Sequence, residues 1–211
     1  TTAESDHHVV TTVAPTSASV LWFEENIGQF DPDVRFHARV PDGAWFVTRD
    51  AIWLSQARPL EPVDNPAAAP PEPVTREGVN LRLRFVGANP APQLEAETQL
   101  PVQLSSFKGN KPERWQSDIP VWRTIYYRDL YPGMDLRVTT AQGQFDLQLR
   151  ITDAALADLS QVRVQIDGAN ALHLAEDTIR AETAVGTITL PLLALGADNH
   201  SAPFAPPLPA L

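Results

Sequence analysis

The chain has 211 residues, 43% hydrophobic and 20% charged, with 26 acidic against 16 basic side chains and a net charge of −10. This is the balance of a globular protein, not of a disordered chain, and its acidity makes nucleic acid and anionic membrane surfaces poor partners. Cysteine is absent, which excludes disulfides, thiolate nucleophiles and cysteine-ligated metal sites.

No apolar stretch approaches the ~20 residues of a spanning helix, so no membrane insertion is expected. The longest, Thr187 to Leu195, is interrupted by Pro191. The first residue is Thr1 and not Met, as expected of a processed, exported product or an excised piece.

In chain order, residues 1–23 read as an N-terminal arm. Val9-Val10-Thr11-Thr12-Val13 is β-prone and has no turn signal linking it to a neighbouring strand. Such a run either packs on its own domain or adds to an open sheet edge of another copy. Residues 24–56 form an N-terminal β lobe, with alternation over Val34–Val40, a Pro41-Asp42-Gly43 turn, and strands at Trp45–Thr48 and Ile52–Ser55. Residues 57–76 carry Pro59, Pro62, Pro66, Pro70, Pro71 and Pro73 and read as an extended surface loop or linker, since proline cannot donate to a sheet.

Residues 77–195 form the main lobe. Val79, Leu81, Leu83 and Phe85 alternate with Asn80, Arg82 and Arg84, and the same period holds over Phe145–Ile151 and Val162–Ile166. Polar outer faces of this kind suit a sheet wetted on one side, hence antiparallel. Asp153–Leu159 is the one helical stretch, a short connector with Asp153 as N-cap. Residues 196–211 are a Pro-rich tail with Phe204 and Leu208 as apolar anchors. The expected class is all-β, an antiparallel β-sandwich built as one body or two lobes.

Several segments carry a resemblance. Glu25-Asn26-Ile27-Gly28-Gln29, Leu83 through Asn89, Phe107-Lys108-Gly109-Asn110, Trp115 through Leu136 and Gln165 through Ala169 resemble a β-rich module of large bacterial surface proteins. That module often precedes "SBBP" propeller-type repeats or immunoglobulin-like domains. The likeness covers about residues 24–191, and Leu130-Tyr131-Pro132-Gly133-Met134-Asp135-Leu136 is its most specific part. It departs from the pattern at Ser105-Ser106 and ends where repeats would begin, which suggests a stand-alone version. The resemblance implies an extracellular module without catalytic residues to carry over.

The residues of these motifs have structural work to do. Tyr131-Pro132-Gly133 sets a turn, Asp135 caps amides after it, and Asn26, Gly28 and Gln29 make a tight bend. Hydrolase, zinc and nucleotide signatures are missing. His7 and His8 belong to the arm, and His37 and His173 fall on polar strand faces, where exposed imidazole is expected. Glu24, Glu25, Asp31, Asp33, Asp129 and Asp135 could gather oxygen ligands for Ca²⁺, but Asp31-Pro32-Asp33 lacks the spacing of a dedicated calcium loop; no cofactor is expected. Trp45, Trp53, Trp115, Trp122, Tyr126, Tyr127 and Tyr131 serve either a core or a sugar-stacking face. The expected function is a secreted, non-enzymatic structural protein of the cell surface. Its expected partners are other copies of itself, joined into a filament by donor strands. The alternative is a module that binds surface glycans.

Overall fold

The computed structural model describes residues 21–40, 43–59, 76–102, 104–107, 115–141, 144–197 and 200–203. The chain is all-β. Its strands are β1 (Phe23–Glu25), β2 (Phe36–Val40), β3 (Gly43–Val47), β4 (Ala51–Pro59), β5 (Arg76–Val86), β6 (Gln93–Gln99), β7 (Leu104–Ser106), β8 (Gln116–Ile119) and β9 (Val121–Tyr131). They continue with β10 (Met134–Ala141), β11 (Gln144–Ile151), β12 (Arg163–Asp167), β13 (Ala171–Ala175), β14 (Thr178–Thr183), β15 (Gly186–Pro191), β16 (Leu193–Ala197) and β17 (His200–Pro203).

Two-residue periodicity places the core. On β5 Leu81, Leu83 and Phe85 are buried, on β11 Phe145, Leu147 and Leu149, and around β12 Val162, Val164 and Ile166. These side chains meet in one hydrophobic cluster that also takes Phe23, Trp45, Ile52, Tyr127 and Leu190. The outer faces are tied by charge: Arg84 on β5 pairs with Asp167 on β12 at 2.9 Å.

A twelve-stranded sheet runs in the order β12-β5-β4-β3-β2-β1-β9-β10-β11-β16-β17, with β6 added on β9. It curls on itself. Strand β9 is its organiser. Trp122 is registered with both Phe23 and Gln99, and Thr124 with both Thr139 and Glu97. Strand β6 therefore lies along one edge of β9, while β1 and β10 share the other. Strands β13-β14-β15 form a second sheet, and β7-β8 a small ribbon.

Several expectations are corrected. The sheet is mostly antiparallel, but β11 and β16 pair in parallel. The connector helix over Asp153–Leu159 is not formed. Asp153 caps a single turn, its Oδ1 accepting from the Ala155 amide at 2.9 Å. Asp158 then accepts from the Ser160 amide at 2.9 Å and starts a separate 3-10 turn at Leu159–Gln161. Two local side-chain caps thus interrupt what would be one helix.

The proline segment is also shorter than expected. Strand β4 continues through Pro59 and β5 begins at Arg76, paired with each other out to Pro59–Arg76. Strands from both sides of that segment lie in one sheet. Leu21 and Phe23, assigned to the arm by sequence, are buried in the core. The start of the expected tail forms the antiparallel pair β16-β17. The turn tips at Pro41-Asp42 and Gln142-Gly143 lie outside the described residues.

Candidate functional site

The most specific motif builds a locked hairpin. Tyr131 and Met134 are paired across Pro132-Gly133, with proline's fixed φ first and Gly133 at φ 67 second, the arrangement of a type II turn. The Gly133 carbonyl accepts from the Thr152 and Asp153 amides, and a Cβ at this glycine would run into the Asp153 carbonyl oxygen. Just before the hairpin the β9–β10 register shifts. There Asp129 has φ 51, and its amide donates to Asp135 Oδ1 at 2.9 Å. The Asp135 partner thus lies before the turn, not after it. Asp135 also holds Arg128 at 2.8 Å, and Arg128 reaches Glu95 on β6 at 2.7 Å.

Two tyrosines on the same face of β9 carry hydroxyls into the core. Tyr127 donates to the Thr48 carbonyl at 2.8 Å and lies 3.2 Å from that of Ala51, fastening β9 to the β3-β4 turn. Burial, with the Asp50 charge adding to it, raises the Tyr127 hydroxyl well above the usual phenol range. Tyr131 donates to the Val86 carbonyl at 3.0 Å, beside β12. The Gly87 turn is joined to the same hairpin, because the Asn89 amide donates to the Leu130 carbonyl at 2.8 Å.

The second motif is a crown around one amide. Asn26 Nδ2 donates to the carbonyls of Asp31 (2.8 Å) and Val34 (2.7 Å), and its Oδ1 accepts from the amides of Gly28 (3.0 Å) and Phe30 (3.1 Å). Gln29 accepts from the Ile27 amide at 2.8 Å and donates to the Glu25 carbonyl at 2.6 Å. Gly28, at φ 121, packs against Gln116 of β8.

The candidate carboxylates are dispersed among these duties. Glu25 accepts from the Trp122 indole at 3.0 Å, and Asp31 accepts from the Asp33 amide at 3.0 Å. Among the described residues no three metal-ligating groups gather. Glu24 meets His37 at 3.3 Å, and both are buried. The expectation of an exposed His37 is overturned: its ring packs in one aromatic triangle with Phe30, at 4.4 Å, and Phe46, at 5.1 Å. Burial pushes the Glu24 carboxyl up, but the His37 hydrogen bond and charge and the Arg39 charge bring it below its ordinary value. His173 is exposed and 3.1 Å from Glu182.

The aromatic candidates separate. Trp45, Tyr126, Tyr127 and Tyr131 are buried, and Trp53 is half-buried under the Arg82 guanidinium at 4.9 Å. Trp115 is 43% exposed and meets Phe107, 65% exposed, edge to face at 5.5 Å.

One groove of about 770 Å³ opens between the two larger sheets. Trp45, Leu54, Gln56 and Phe145 line one side, β15 from Thr187 to Pro191 lines the other, and Leu21 also contributes. Gln56 Oε1 is buried there without a donor. No sequence signal marked this groove, since it depends on which strand edges are left uncovered once the sheets form.

A family model, "Domain of unknown function (DUF7948)", matches residues 23–192. The chain belongs to that family. The matched span starts at buried Phe23, ends at buried Leu192, and encloses the crown, the hairpin and most of the groove wall. None of the curated proteins and none of the solved structures matches the chain. The arm residues Val9, Val10, Thr11, Thr12 and Val13 and the tail anchors Phe204 and Leu208 lie outside the described residues.

Proposed function

We propose that this DUF7948 domain is a non-enzymatic, exported structural module of the bacterial cell surface that joins further copies of itself by strand addition. One observation carries the reading. The residues its motifs single out, Asn26, Gln29, Tyr131, Gly133 and Asp135, are spent on fastening backbone turns. A chain that invests its most specific residues in shape serves as a scaffold. The resemblance to the modules that precede SBBP repeats adds the surface location.

The test is a chain lacking Thr1 to Ala14. It is expected to stay folded and monomeric while the full chain assembles on electron micrographs and is cut by protease on intact cells. Identical assembly by both chains refutes strand addition, and protection of the full chain in intact cells refutes the location.

A second reading rests on the partly exposed Phe107–Trp115 pair, aromatic rings of the kind that stack on sugars. Binding on a glycan array that disappears in Trp115→Ala supports it, and silence of the full chain on the array removes it.

A further inference from the structure

Strand β15 pairs, among the described residues, with β14 alone. Successive strand residues point to opposite faces, so a cavity bounded by one face of a strand would meet every second residue. Here Thr187, Ile188, Thr189, Leu190 and Pro191 line the groove in unbroken succession. The groove therefore runs along the second edge of β15, where backbone N–H and C=O groups project.

The groove asks for two things at once. The wall of Trp45, Leu54 and Phe145 suits apolar side chains, while the β15 edge and Gln56 Oε1 require hydrogen-bonding groups. A purely apolar molecule leaves the polar groups unmet. An extended polypeptide with β-branched side chains meets both.

Leu21, the first described residue, lies in this groove wall, so residues 1–20 issue from it in every copy. Val9-Val10-Thr11-Thr12-Val13 is β-branched throughout. If fully extended, the chain from Val13 to Leu21 has a maximum span of about 26 Å at ~3.3 Å per residue, a limit that permits contact with another body. We propose that the groove accepts residues 9–13 of a second copy as an added strand on β15. This rests on the self-assembly reading and names its acceptor. Each copy gives one strand and takes one; where the strand passes on to a third copy instead of being exchanged, the contact is head-to-tail and continues as an open series.

The absence of cysteine makes the test clean. Chains carrying Thr11→Cys or Thr12→Cys are mixed with chains carrying Thr187→Cys or Thr189→Cys, oxidised, and separated without reductant. Thr187 and Thr189 are exposed, so the substitutions spare the core. A disulfide needs Cα atoms within about 4.4–6.8 Å, and strand neighbours alternate faces. The expected result is a linked pair of chains with Thr11→Cys or with Thr12→Cys but not with both, and no link to Glu97→Cys on β6.

The proposal is overturned by equal linking at Glu97→Cys, by closure of a doubly substituted chain only on itself, or by no link although the native chain assembles. The last leaves the self-assembly reading standing. Absence of both link and assembly removes both.

Discussion

Replacing Tyr127 by Phe tests whether the core is held by a polar fastening as well as by apolar packing. The ring stays and only the hydroxyl leaves, taking its 2.8 Å bond to the Thr48 carbonyl and its 3.2 Å contact with that of Ala51. The Ala51 carbonyl keeps the Thr48 amide and hydroxyl, so the main loss falls on the Thr48 carbonyl. Losing a buried hydrogen bond and leaving its acceptor unmet costs about 1–3 kcal/mol. For a chain of this size that is roughly 2–12 °C in melting temperature.

The pH dependence separates this account from simple loss of packing. Because the folded-state Tyr127 hydroxyl is raised well above the phenol range, the unfolded chain ionises first. Its stabilising contribution is complete below about pH 10 and is lost as pH rises above that toward the folded value. Tyr127→Phe has no such loss. Calorimetric melting curves of the two proteins are expected to differ most at pH 7 and to converge above pH 10. A difference under 1 °C at pH 7 (against the estimate of about 2–12 °C), or one that stays constant with pH, refutes the reasoning.

Other outcomes follow from the same geometry. Gly133→Ala forces a Cβ into the Asp153 carbonyl at φ 67, whereas Gly87→Ala, at φ 74, meets nothing within 4 Å. The second should cost about 1–2 kcal/mol for its left-handed backbone alone, the first clearly more, and equal urea midpoints would contradict the clash. The lowered Glu24 carboxyl contributes stability above the ordinary carboxylate range that is lost as pH falls through its folded value. Glu24→Gln should therefore flatten the acid side of a melting profile, and an unchanged acid side counts against the pair. In a chain lacking residues 1–20, Gln56→Leu removes a buried acceptor without a donor and should gain about 1–3 kcal/mol; a lower denaturation midpoint would show that the acceptor is satisfied.

The parts of the fold legible in the sequence are those set by single strands. Leu81-x-Leu83-x-Phe85 and Phe145-x-Leu147-x-Leu149 name their buried faces by alternation. The Pro132-Gly133 turn was readable because proline and glycine restrict backbone angles locally. What pairing decides was not legible. His37 alternates like a solvent-facing residue, yet β1 brings Glu24 opposite it and Phe30 and Phe46 cover it. Prolines downstream made Arg58 and Pro59 look like linker, although β5 supplies a partner for both. The groove was the least accessible, since it follows from how far β2, β3, β4 and β11 curl toward β15.

Because the β4-β5 ladder stays in register out to Pro59–Arg76, the body is closed beneath whatever chain joins those two ends. Loop length adds little entropic cost there, about 0.6 kcal/mol per doubling. That junction is a permissive port. Evolution can lengthen it, an engineer can graft a guest domain or open new termini there, and the frame on either side remains the same.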